Sequence, residues 1–281
     1  MSVRDVGTNA ILSIAGTSVY ANISATSPDF DRAMQPTIVA TGAGNSLIGY
    51  HPSTGAKSGF VCAFNVPYIA AFTLLNAVLS TAPYAVQLYL GTAGGANVAG
   101  NLCRDMVLSS SEGGILECRV ALDSIGLPTV GGVAPTQPAG DIWKYTDAAS
   151  VKLTSSTVYT DFSAFSFHVA RVLANYKGNS PTGVAKYLKI VRTEAMLDAT
   201  YLKTTDLEGT ASIGNCPTLG DCAVSLVQQC PISPALASTL TLTLTNGFYG
   251  GYPRVSGGTE EFISESVSAR AYGGGYSIAG T

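Results

Sequence analysis

The stretch Ser18-Val19-Tyr20-Ala21-Asn22-Ile23-Ser24-Ala25 is nearly spelled again at Thr157-Val158-Tyr159-Thr160-Asp161-Phe162-Ser163-Ala164, with Val19 and Val158 setting an offset of 139 residues. Two further matches follow in the same order. Asn65-Val66-Pro67 returns as Asn215-Cys216-Pro217 at an offset of 150, and Ile115-x-Glu117-x-x-Val120 returns as Ile263-x-Glu265-x-Val267 at an offset of 148 once one residue of shift is allowed. Short apolar and Ser/Thr patterns recur by chance, but three in one order across half a chain indicate a duplicated unit rather than a solenoid. The length of 281 residues agrees, since a typical domain has about 100–150. Residues 1–125 read as one domain and 143–281 as the other. Between them, 126–142 is a linker whose three prolines and four glycines show no periodicity.

Hydrophobic residues make up 46% of the chain and charged residues 12%, against about 25% in an ordinary soluble protein. No apolar run approaches the roughly 20 residues that a helix needs to span a bilayer. Uncharged surface of this extent is therefore expected to lie against other protein, which makes the chain a subunit of an assembly. The net charge of −3 is spread evenly, with five basic and seven acidic groups in residues 1–130 and ten and eleven in the remainder. The densest basic group, Lys186, Lys189 and Arg192, is too short for a phosphate-binding footprint.

Along the chain, residues 1–17 read as an arm and a short strand, followed by a strand over 18–25. A long hairpin spans 28–57, and Gly59–Phe64 is extended. Asn65 as N-cap and Pro67 in the first turn predict a helix over Val66–Ser80, with Ile69, Phe72, Leu75 and Leu79 on its buried stripe. Strands follow at 85–90 and 102–108. Over Ile115–Leu122, Leu116, Cys118, Val120 and Leu122 share one face, with Glu117 and Arg119 on the wetter one. The second copy repeats this plan, with a hairpin around 178–183 and a second helix over Pro217–Cys230. The alternation TLTLTLT at 239–245 and a last long strand precede the glycines 273–275 and a short tail. In that strand Glu265, Val267 and Ala269 oppose Ser264, Ser266, Ser268 and Arg270. The lone tryptophan, Trp143, is expected to anchor the linker on one domain.

Chemistry is thinly supplied. His51 and His168 are the only histidines and neither lies in a reactive motif. The six cysteines include no C-x-x-C pair, and they read as small buried hydrophobes rather than metal ligands, with a disulfide among Cys216, Cys222 and Cys230 as the alternative. Glu260 and Glu261 are adjacent, so on a strand they cannot flank one bond. No nucleophile elbow or phosphate-cradling loop is present. These readings exclude an assigned catalytic site, metal or cofactor. A two-domain β protein that binds sugar through Tyr249, Tyr252, Tyr272 and Tyr276 is the reading from another class.

The order of strand, long hairpin, strand, helix and closing strands in each half resembles the tube domain of tail tube proteins from long-tailed bacteriophages. The resemblance is carried by Val158-Tyr159-Thr160-Asp161-Phe162-Ser163-Ala164-Phe165-Ser166 leading into a hairpin, by the Asn-x-Pro segments, and by the closing strands Arg104–Leu122 and Arg254–Arg270. It implies a β-rich α+β fold of two tandem sandwich or barrel domains, each with one packed helix. Three such chains, rather than six single-domain ones, would build each ring of a hollow stack synthesised and assembled in the host cytoplasm. Implied partners are the chain itself, a tape-measure protein and a tail terminator, with DNA only in transit and no cofactor. A wall that passes DNA should be polar without being basic. Glu117, Arg119, Ser264, Ser266, Ser268 and Arg270 are the residues expected to line it. Gly44, Asn45, Tyr50 and His51 of the first hairpin, with Asn179, Ser180 and Pro181 of the second, are expected to reach adjacent rings, as are the N-terminal arm and the tail after Gly273. The same β-rich core would also suit a baseplate or capsid-decoration protein.

Overall fold

The computed structural model describes residues 10–22, 26–31, 34–41, 44–52, 57–89, 95–127, 129–130, 142–152, 158–178, 184–202, 220–228, 238–249, 254–256 and 264–281. In chain order these form β1 (Ile11–Ile14), β2 (Thr17–Tyr20), β3 (Ser27–Asp31), β4 (Met34–Thr41), β5 (Gly44–Pro52), β6 (Lys57–Asn65), α1 (Ala71–Val78), β7 (Tyr84–Tyr89), β8 (Gly95–Ser111), β9 (Glu117–Ser124) and β10 (Thr129–Val130). They continue as β11 (Ala148–Lys152), β12 (Val158–Tyr159), β13 (Phe162–Tyr176), β14 (Tyr187–Leu202), β15 (Gly220–Val227), β16 (Thr239–Tyr249), β17 (Arg254–Ser256), β18 (Ser264–Ala271) and β19 (Tyr276–Gly280). The fold is β-rich, and α1 is the one α-helix among the described residues.

Strand pairing follows the same order in each half. In the first, β1 pairs β2 and β7, β7 pairs β8, β8 pairs β9, β9 pairs β6 and β6 pairs β3. In the second, β11 pairs β12 and β15, β15 pairs β16, β16 pairs β18, β18 pairs β14 and β14 pairs β13. All these pairings are antiparallel. Burial fixes the correspondence residue by residue, because alternation on a strand puts every second side chain inside. An offset of 147 carries buried Cys118 and Val120 onto buried Glu265 and Val267. The sequence-derived offset of 148 is thereby corrected: it would lay half-exposed Glu117 on buried Glu265 and turn the strand inside out.

Long strands join the halves. β8 uses its first part to pair β7 and then, on the same edge, gives Asp105–Ser111 to Ala164–Ala170 of β13. The result is one sheet running β3–β6–β9–β8–β13–β14–β18, with β17 and β16 both on the far edge of β18. Its inner face is a continuous apolar core drawn from both halves, including Phe60, Phe64, Met106, Leu108, Phe167, Val169, Leu197, Leu240, Leu242 and Leu244. Trp143 is fully buried, as expected for an anchor. Its ring meets Tyr68 edge-on at 4.7 Å, its backbone N–H donates to Val66 O, and its backbone carbonyl accepts from Leu116 N–H. Within the stretch read as linker, Thr129 and Val130 pair with Asn97 and Ala96 of β8, and residues 131–141 lie outside the described residues.

Helix expectations needed correction. α1 begins at Ala71, five residues later than the Val66 start. The N–H of Val66 is held by Leu116 O and Pro67 bridges Ile142, so this backbone belongs to the sheet. Asn65 closes β6 and is not the N-cap, a position taken by Ala70 with a left-handed φ of 59°. The buried stripe is Ala71, Leu74, Leu75 and Val78, while Ile69 and Phe72 are exposed. The second predicted helix is overturned where it is described: Gly220–Val227 is β15, with Cys222, Val224 and Leu226 buried in alternation between β11 and β16. Residues 215–219, 229 and 230 lie outside the described residues. The tail also does not reach away. Gly273 and Gly274, both at φ 72°, turn the chain so that β19 pairs β16, with Ile278 opposite Leu242. A Cβ at Gly274 would stand 1.9 Å from Thr193 O, so only glycine fits this corner.

Candidate conduit face and hairpins

Opposed residues in an antiparallel pair project to the same side, so the register defines rows that cross the sheet. One row reads Asn65, Glu117, Ser109, Ser166, Asp198, Ser268, and the next reads Ala63, Arg119, Val107, His168, Met196, Arg270. A third holds Ser111, Ala164, Thr200 and Ser266, where the Thr200 and Ser266 hydroxyls are 2.8 Å apart. Glu117, Arg119, Ser264, Ser266, Ser268 and Arg270, chosen from two distant strands, thus lie on one face of one sheet, opposite the apolar core.

That face carries charge of both signs, much of it paired, while exposed Arg270 has no carboxylate within ion-pair distance among the described residues. Arg119 donates to Glu117 at 2.7 Å, Arg104 to Asp123 at 3.0 Å, and Arg192 contacts Glu194 at 3.0 Å. His168 hydrogen-bonds Asp105 across the β8–β13 seam. This bond raises the His168 pKa above its usual value, against a smaller opposing effect of burial, and the Asp198 and Glu194 carboxylates add to the rise. The Arg119 pKa is likewise raised by its bond to Glu117. Exposed pairs of this kind add little stability. Their effect is that arginines already facing carboxylates offer less to a passing phosphate.

His168 carries no local motif, and no sequence signal marks its partner: Asp105 reaches it only because β8 pairs β13. Arg171 was also missed, although a lone arginine inside the alternation Phe165–Leu173 is a visible anomaly. It is buried, and its guanidinium donates to Leu79 O at 2.6 Å and Ser80 O at 3.2 Å, just past the C-terminus of α1, and to the Tyr276 hydroxyl at 2.6 Å. A cation at this end of a helix meets the negative pole of its dipole. Tyr276, expected as part of a sugar platform, therefore serves as an internal anchor.

Two hairpins extend beyond these pairings, and the second turns back on the sheet, with Val184 and Ala185 buried and Asn175, Lys177 and Leu188 lining one pocket with Arg104 and Asp123. β4 and β5 form a two-stranded sheet of their own, and Gly44, Asn45, Tyr50 and His51 lie on β5 opposite Thr41, Ala40, Pro36 and Gln35. In the second half β13 and β14 continue past the end of the seam at Ala170. This stem exposes Val172, Tyr176, Tyr187 and Val191, with the two tyrosine rings stacked at 6.1 Å. Asn179, Ser180 and Pro181 lie outside the described residues.

Cys62, Cys103 and Cys118 are free and buried, Cys222 is buried, and Cys216 and Cys230 lie outside the described residues. Burial raises the Cys103 thiol to about 12 and the Cys62 and Cys118 thiols also upward, so none of the three is poised as a nucleophile. Among the described residues no cluster of His, Cys, Asp or Glu could hold a metal ion, and no helix is long and apolar enough to cross a membrane. The chain matches no protein-family model and no curated protein.

Proposed function

We propose that this protein is a structural subunit of a bacteriophage tail tube, made of two tandem tube domains, that polymerises as stacked rings into a conduit for genome delivery. Three chains would give each ring a pseudo-sixfold wall. The observation that carries this reading is the sheet shared by both halves, with one face apolar and packed and the other polar and charge-paired. A wall for DNA must avoid adhesion, and serines with Arg104, Arg119 and Arg192 paired to carboxylates favour that, Arg270 being the exception, where free Lys/Arg would hold phosphates and release counterions. The β13–β14 stem, with exposed Tyr176 and Tyr187, suits contacts between rings.

Electron microscopy of the purified protein tests this. Hollow tubes with a regular axial repeat are expected. Discrete rings that never stack would point to a baseplate or capsid-decoration role, and monomers under every condition would sink both. Replacing Glu117 and Asp198 by lysine should leave tubes intact but slow DNA passage and make empty tubes retain DNA at low salt.

A further inference from the structure

The seam inside the chain has a counterpart that the chain leaves open. In β13, Ser166–Ala170 pair with Ser109–Asp105 of β8. Ser27↔Val61 in the first half corresponds to Ser166↔Asp198 in the second, an offset of 139 that places β3 where β13 stands. The sequence match of Val19 with Val158 does not keep register in the fold: buried Val19 opposes buried Leu12, the residue opposite buried Val151 is Tyr159, and Val158 is exposed, so the correspondence rests on the ladder alone. Likewise Val107↔Arg119 corresponds to Arg254↔Ser266, an offset of 147 that places β17 where the seam part of β8 stands. Among the described residues β3 pairs only with β6 and β17 only with β18. These two strands are the opposite ends of the shared sheet.

We infer that β3 of one copy pairs antiparallel with β17 of the next copy, in the register of the internal seam: Ser27↔Ser256, Pro28↔Val255, Asp29↔Arg254. Translating the backbone pairing makes no use of charge, yet it sets an acidic position opposite a basic one. The internal seam fills that row with His168 and Val107, with Asp105 one row along as the carboxylate. The contact is head-to-tail, so it closes into a ring or runs on as a filament according to the rotation per copy. The backbone also ranks the two seams. Ala63 accepts from the Asn22 N–H and its own N–H donates to Thr26 Oγ1, so it faces the β2–β3 side. By alternation Ser27, Asp29 and Asp31 bond β6, and Pro28 and Phe30 face the open edge. Pro28 has no N–H, so the seam between copies has one donor fewer than the seam within a copy, whose equivalent residue is Phe167.

This proposal rests on the self-assembly part of the tube reading but not on stacking or on DNA. Ser27 and Ser256 fall at a non-hydrogen-bonded pair, where Cα atoms stand about 4.5 Å apart, within the roughly 4.4–6.8 Å that a disulfide spans. Full-length protein carrying Ser27→Cys and Ser256→Cys should form chain-to-chain disulfides on mild oxidation, whereas Ser27→Cys with Val255→Cys, one residue out of register, should not. Asp29→Arg should weaken association at least tenfold by sedimentation, and adding Arg254→Asp should restore it. Thermal unfolding of the variants separates a lost contact from a lost fold, and the cysteine pair reads the same register without changing charge. Assembly that proceeds with neither the disulfide nor the rescue overturns this register and leaves self-assembly standing. Cross-linked rings that never stack support the register and sink the tube. Wild-type protein that stays monomeric at every concentration overturns both.

Discussion

The two halves share their pairing order but not the contents of equivalent positions, and one pair shows how far the interior has been rewritten. Phe64 opposes Cys118 in the first half, and Tyr201 opposes Glu265 at the same place in the second. All four are fully buried. A hydroxyl added to the ring coincides with a carboxylate added across from it, and the Tyr201 hydroxyl donates to Glu265. Neither change is tolerable alone, because a buried polar group without its partner carries the full desolvation penalty. Topology therefore belongs to the backbone ladder, and each half fills that ladder with its own mutually consistent residues.

The largest test asks whether the halves are separable. Trp143 opens the second half and is seated in the first. Trp143→Ala should lower unfolding stability by about 3–5 kcal/mol, read as a shift of the denaturant midpoint at constant slope. A loss under about 1 kcal/mol would make the halves independent. Next, Arg171→Met should cost about 2–3 kcal/mol, because the carbonyls of Leu79 and Ser80 lose charge-assisted donors. Protection of α1 amides in hydrogen exchange should fall with it, and unchanged protection would show that the clamp does not hold the helix.

The rewritten pair comes third. Tyr201→Phe should cost about 1–3 kcal/mol, and adding Glu265→Cys, which installs the first half's own pair, should recover most of it. Additive losses in that cycle would mean the two positions are not coupled. The smallest effect is at the seam. The His168 pKa is raised in the folded protein by Asp105, so its stabilising contribution is fully present below about pH 6.5 and is lost as pH rises through the higher folded value. The gap in melting temperature between wild type and Asp105→Asn should thus be widest near pH 6 and narrow toward pH 9. A gap that grows with pH would reverse the assignment.

Strands were legible where burial on one face imposed a period of two. Leu240, Leu242 and Leu244 are buried as TLTLTLT requires, and Leu116 to Leu122 are sorted as read. β15 was misread because Cys222, Ala223, Leu226 and Cys230 fit a helical stripe while Cys222, Val224 and Leu226 fit a strand, and length alone did not separate the two. Asn65-Val66-Pro67 has the chemistry of a helix start, but tertiary pairing to Leu116 and Ile142 claimed the backbone first. The six residues proposed for the conduit face do share a face, because alternation is local information. That both sets lie on the same sheet depends on β8 meeting β13, and a pairing between residues 105 and 170 leaves no trace in either neighbourhood.

That seam also dictates a timetable. As the chain leaves the ribosome, Asp105–Ser111 emerges as a bare strand margin and stays so until Ala164–Ala170 have been made, which at about 5–20 residues per second is a matter of seconds. During that interval the nascent first half can stick to the same margin of its neighbours on a polysome, so the yield of usable protein should depend on how quickly translation covers it.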